Sequence, residues 1–104
     1  MIANDLTLFT MTTKLGAARR VARSRLWIEG SRLAAAGFVQ GARFDLSRTA
    51  AGLTLTLSPF GARKVSGKDG HPIIDITGDL IRTTFAGDRV ACSFKPQQII
   101  VSEA

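Results

Sequence analysis

Two stretches of this chain carry the same order of apolar and polar positions, and a chain built that way has to bring its two halves together. LWIEGSRLAAAGFVQGARFDLSRTAAGLTL, Leu26 to Leu55, aligns with IIDITGDLIRTTFAGDRVACSFKPQQIIV, Ile73 to Val101, once one residue is deleted from the second. Leu26 then falls on Ile73, Leu33 on Leu80 and Phe38 on Phe85. Beyond the deletion, Gly41 meets Gly87, Arg43 meets Arg89, Phe44 meets Val90, Leu46 meets Cys92, and Leu53 and Leu55 meet Ile99 and Val101. A unit this small leaves an apolar face that only its copy can cover. The expectation is one domain over residues 1–104, with a first copy at about 6–57 and a second at about 62–101, related by a pseudo-twofold axis.

Each copy reads as strand, short helix, turn, strand, turn, strand. Leu26–Ile28 and Ile73–Ile76 are rich in β-formers. Ser31 and Thr77 are the expected N-cap oxygens, Asp79 puts a negative charge where the helix dipole favours it, and Gly37 is suited to end the first helix in a left-handed turn. Alternation resumes at Phe44 and Leu46 in one copy and at Val90, Cys92 and Phe94 in the other, and Leu53 to Leu57 has the cleanest period of two in the chain. Ahead of each copy lies one further strand, Leu6 to Met11 or Arg63 to Val65, followed by a basic segment: Thr12 to Ser24, loop or helix, and the Gly-rich turn Ser66 to Gly70.

Charge is distributed unevenly over this frame. Fourteen Lys and Arg against eight Asp and Glu give a net +6. Residues 1–25 hold Lys14, Arg19, Arg20, Arg23 and Arg25 against Asp5 alone, and residues 58–70 hold Arg63, Lys64 and Lys68 against Asp69. Two short segments thus carry nearly all the excess, which points to a polyanionic partner, nucleic acid before membrane. Two positive loops on one face are expected. A solvated face or an amphipathic membrane helix are the other readings of Lys14 to Arg25.

The strand, short helix, Gly, strand, turn, strand order resembles the AbrB/SpoVT swapped-hairpin DNA-binding superfamily, and the phrase RLWIEG..LAAAGF..G, Arg25 to Gly41, is similar to its SymE-type branch. The resemblance covers residues 9–57 well and 60–101 more weakly. In that family two chains interlock hairpins into one barrel that binds DNA through basic loop residues. It implies here a mainly β, single-chain, pseudo-twofold swapped-hairpin barrel with short helices, made of two β-β-α-β-β-like repeats. It carries DNA contacts over to Lys14, Arg19, Arg20, Arg23 and Arg25 in the first hairpin and to Arg63, Lys64 and Lys68 in the second, with Arg43 and Arg89 as further candidates at equivalent strand positions. The first loop is longer than the family pattern.

Catalytic chemistry has no motif to rest on. His71, beside Pro72, has no nucleophile placed by spacing, and Ser66-Gly67-Lys68 lacks the frame of a phosphate-binding loop. Asp75, Asp79 and Asp88 form no acid/base pair, and Cys92, between Val90 and Phe94, reads as core. Trp27, flanked by Leu26 and Ile28, reads as packed, with base stacking as its other role. One cysteine and one histidine exclude an internal disulfide and a tetrahedral Cys/His zinc site, so no metal and no cofactor are expected. MIANDLTLF has no basic n-region, and the apolar run Leu33 to Val39 is far shorter than the ~20 residues of a membrane span. The expectation is a cytoplasmic, non-enzymatic regulator of a bacterium or phage that binds double-stranded DNA, as a monomer or homodimer. The alternative is a SymE-like toxin or a mobile-element inhibitor of a host defence complex, acting on RNA or protein.

Overall fold

The computed structural model describes residues 7–104; Asp5 and Leu6, the latter the start of the expected first strand, lie outside the described residues. The first half of the chain runs β1 (Phe9–Lys14), β2 (Gly16–Ala18), β3 (Val21–Glu29), α1 (Ser31–Ala35), β4 (Arg43–Thr49) and β5 (Gly52–Leu57). The second runs β6 (Arg63–Lys64), β7 (Ser66–Lys68), β8 (His71–Thr77), α2 (Asp79–Thr84), β9 (Arg89–Lys95) and β10 (Gln98–Glu103). The order of elements is the same in both halves. The basic segment before Trp27, open between loop and helix in the sequence, is β-structure: β2 and the start of β3 form a hairpin.

The protein is mainly β, in two antiparallel sheets. One has the strand order β1-β9-β10-β5-β4-β6 and the other β2-β3-β8-β7. Each order is unchanged when read backwards with the halves exchanged. β1 lies not on its own half but on β9, and β6 lies on β4. The chain passes from one sheet to the other at Leu15 and Val65, both buried, whose N–H groups donate to Asp88 O at 2.7 Å and Ala42 O at 2.8 Å. The expected closed barrel is not formed. β1 and β6 remain edges of one sheet and β2 and β7 edges of the other, and with β2, β6 and β7 only two or three residues long the edges offer too little ladder to close.

Strict alternation sets the core. Val90, Cys92 and Phe94 on β9, Ile99 and Val101 on β10, and Leu53 and Leu55 on β5 point inward from the six-stranded sheet; Leu26, Ile28, Ile74 and Ile76 do so from the four-stranded one. Phe38 and Phe44 meet edge to face at 6.0 Å within that cluster. The pairing β3·β8 sets Leu26 opposite Ile76 and Ile28 opposite Ile74, while Ile73 pairs with Glu29 on the outer face. The alignment of Leu26 with Ile73 and Leu33 with Leu80 is therefore one residue out: Ile74 and Ile81 hold the buried positions, and Leu80 is only half-buried. A one-residue slip moves a strand's whole apolar set to the other face.

The helix starts also differ from expectation. Gly30 (φ +103°) and Gly78 (φ +123°) occupy the N-cap positions, and neither Ser31 nor Thr77 makes a side-chain cap bond. These glycines take a backbone region that side chains rarely enter, and each N–H bonds the opposite half, Gly30 to Pro72 O at 3.2 Å and Gly78 to Ser24 O at 2.9 Å. Cys92 is fully buried and desolvation pushes its thiol up to about 11. A thiol-reactive dye at pH 8 should label native protein at a rate set by unfolding; rapid labelling would mean the β9 ladder opens locally.

Candidate nucleic-acid interface

The β2–β3 hairpin turns at Arg19 and Arg20, both left-handed, with φ of +51° and +68°. Asn-Gly is the usual occupant of such a two-residue turn, and a left-handed arginine costs roughly 1 kcal/mol. Arg23, at φ +59°, sits where the β2·β3 register shifts between Gly16 and Ala18. The residue that pins this hairpin carries no local sequence signal. Buried Ser24 accepts the Ala18 N–H at 3.0 Å and donates to Val21 O at 2.7 Å through its hydroxyl. Replacing Arg19 by Asn and Arg20 by Gly together should raise stability by about 1 kcal/mol in urea titrations while weakening nucleic-acid binding. A double variant that gained stability and bound unchanged would remove this turn from the interface.

Three of the ten candidate residues hydrogen-bond within the fold: Arg23, Arg25 and, through Gly61 O, Arg43. Arg23 turns back across the half-to-half boundary, its Nη1 donating to Phe85 O at 2.8 Å and Ala86 O at 3.3 Å, beyond the end of α2. Arg25 grips Asp75 with two bonds of 2.9 and 2.8 Å and lies 4.9 Å over the Trp27 ring. The hydrogen bond to Asp75 raises the Arg25 pKa further above its ordinary value. Trp27 is not packed inside as expected. With Leu26 and Ile28 buried, alternation sends it outward, 37% exposed, opposite Asp75.

Two like-charge pairs organise further cations, Arg43 among them. Lys14 is the cross-strand partner of Arg89, and Arg43 is the partner of Lys64. All four are exposed, and each pair shares the outer face of the six-stranded sheet, because the next residues along, Val90 and Phe44, are buried. Like charges directly opposite destabilise a ladder, yet the two pairs recur at corresponding places in the two halves. Arg43 also donates to Gly61 O at 3.2 Å, while Lys14, Lys64 and Arg89 make no ion pair among the described residues. Between the pairs the face carries hydroxyls from Thr12, Ser93, Ser102, Thr54 and Ser47.

Each pair stands at the foot of one hairpin, Lys14 leading through Leu15 to Arg19 and Arg20, and Lys64 through Val65 to exposed Lys68. Arg63 is exposed but lies opposite buried Phe44, on the other side of the edge strand from Lys64. Because β3 and β8 are antiparallel, the turns Arg19-Arg20 and Asp69-Gly70 lie at opposite ends of the four-stranded sheet. The two basic segments thus form two separated corners of that sheet. His71 opens β8 with its Nε2 at 3.3 Å from Glu29 Oε2.

Among the described residues, no three His, Cys, Asp or Glu side chains gather as a metal site, and no helix is long and apolar enough to cross a membrane. In comparisons with known proteins, no family model, no curated protein and no solved structure matches this chain.

Proposed function

We propose that this chain is a non-enzymatic nucleic-acid-binding protein, a DNA-binding transcriptional regulator working in the cytoplasm. The carrying observation is the recurrence of two unneutralised like-charge pairs, Lys14 with Arg89 and Arg43 with Lys64, at corresponding places in the two halves. Such pairs cost stability in the free protein and are relieved when a polyanion lies across them. The exchange of β1 and β6 between halves and the palindromic strand orders support an AbrB-like swapped-hairpin reading, as two copies in one chain. Hairpin tips at opposite ends of one sheet let a twofold-like protein offer a basic corner to each of two separated phosphate segments.

Phosphate neutralisation supplies affinity in this reading, and counterion release makes it depend steeply on salt. Fluorescence anisotropy with labelled duplex DNA and with single-stranded RNA tests it. Sub-micromolar duplex binding is expected at 50 mM salt, with a log–log slope of about −5 and a loss of about a thousandfold by 200 mM. Absence of binding to both polymers would overturn the reading and turn the basic corners over to a protein partner, as an inhibitor of a host complex would have.

A further inference from the structure

The two halves differ in how their first strands are held. β1 is zipped to β9 from Phe9 through Lys14, whereas β6 pairs with β4 at Arg63 and Lys64 only. The stretch ahead of β6, Ser58 to Ala62, leaves the ladder instead of continuing along β4. At its tip stands Phe60, 93% exposed, the most exposed of the large apolar side chains described.

This loop is built to stay where it is. Pro59 has no N–H to give a ladder, and Gly61 N donates to Ser58 O at 3.0 Å, closing a turn around Phe60. Gly61 is pressed on β4 so closely that a Cβ there would stand 2.5–2.6 Å from the backbone of Phe44. Ser58 N donates to Arg43 O at 3.0 Å, Arg43 Nη1 to Gly61 O at 3.2 Å, and Ala62 N to Asp45 Oδ1 at 3.1 Å. Phe60 is therefore fixed on both flanks while its own ring is left in water, an arrangement from which the fold gains no burial.

Its surroundings are net cationic: Arg43 props the loop and Arg63 and Lys64 follow within four residues, against the carboxylate of Asp45, which accepts the Ala62 N–H and keeps its charge. A rigidly presented aromatic ring beside cations suits a ligand that carries flat rings on an anionic backbone. We infer that Phe60 is a base-contacting residue, stacking on a nucleobase whose phosphates lie on Arg43 and Lys64. The inference rests on the nucleic-acid reading above and adds to it a contact that charge does not supply. The base comes from an unpaired strand or from a step of the duplex that opens to admit the ring.

The test compares Phe60→Ala with the unchanged protein on three labelled probes: single-stranded DNA, fully paired duplex, and the same duplex with one unpaired base. Affinity should fall about 10- to 100-fold for the probe that is stacked, with the salt slope unchanged, because stacking releases no counterions. Since the Phe60 ring is almost wholly in water, thermal unfolding should stay where it was. A second variant, Phe60→Trp in a Trp27→Phe background, should lose fluorescence when that probe saturates it. Quenching by single strand or by the unpaired-base duplex alone identifies an unpaired base as the source, and quenching by paired duplex identifies an opened step. If the unchanged protein binds nucleic acid while Phe60→Ala binds within twofold of it and the tryptophan stays bright on every probe, the assignment of Phe60 fails and the parent reading stands. If the unchanged protein binds none of the probes, both fall.

Discussion

Reversing Lys14 and Lys64 to glutamate is expected to lower duplex-DNA affinity by about a hundredfold or more near 100 mM salt and to flatten the log–log salt dependence by about two units. The same double variant should fold at least as well as the parent. Each reversal turns a like-charge cross-strand pair, Lys14 with Arg89 or Lys64 with Arg43, into an opposite-charge pair, and such pairs contribute roughly 0.2–1 kcal/mol. Binding and stability thus move in opposite directions, which separates a functional role for these lysines from a structural one. Anisotropy and thermal melts on one preparation are sufficient. Unchanged affinity would remove the paired corners from the interface, and a large drop in melting temperature would show that the lysines serve the fold through contacts other than charge.

Gly52→Ala should be strongly destabilising. Gly52 begins β5 at φ +141°, packed between strands of both halves, and a Cβ there would run into the carbonyl oxygen of Val101 and stand 3.0 Å from the Phe85 ring. Neither obstacle can yield, because one is backbone in the β5·β10 ladder and the other a fully buried core ring. We expect a loss of about 3 kcal/mol or more in denaturant titration, a large share of the stability of a domain this size. Gly41→Ala is the control. Its φ of +90° carries similar backbone strain, but nothing lies within 4 Å of the added carbon, so about 1 kcal/mol is expected. Equal losses at the two positions would show that strain, not the clash, decides.

Much of the β content was readable because alternation is unambiguous where one face is buried. Leu53 to Leu57 and Val90 to Phe94 became β5 and β9 in the expected phase. Ile73-Ile74-Asp75-Ile76 was misread because isoleucines occupy both phases, and only the pairing with β3 decides which of them faces the core. Alternation with buried Leu26 and Ile28 turns Trp27 outward, a phase that outweighs the apolar character of its neighbours. Arg23 and Arg25 counted as basic residues like the others, because their partners, the Phe85 carbonyl and the Asp75 carboxylate, are 62 and 50 positions away. The same distance hid the pairing of Lys14 with Arg89, which local charge counting cannot see.

By itself, then, the sequence determined the local quantities: strand periodicity, the glycines at which the chain must turn, the one buried cysteine, and the two segments that hold the excess charge. These follow from the side chains of neighbouring residues and from backbone sterics. The tertiary structure alone decided which strand of one half lies on which strand of the other, that the sheets stay open, which arginines are consumed by the fold, and that Phe60 is held in water beside cations. Each of those depends on groups that meet only after the halves have packed, where burial and long-range backbone pairing outweigh local preference.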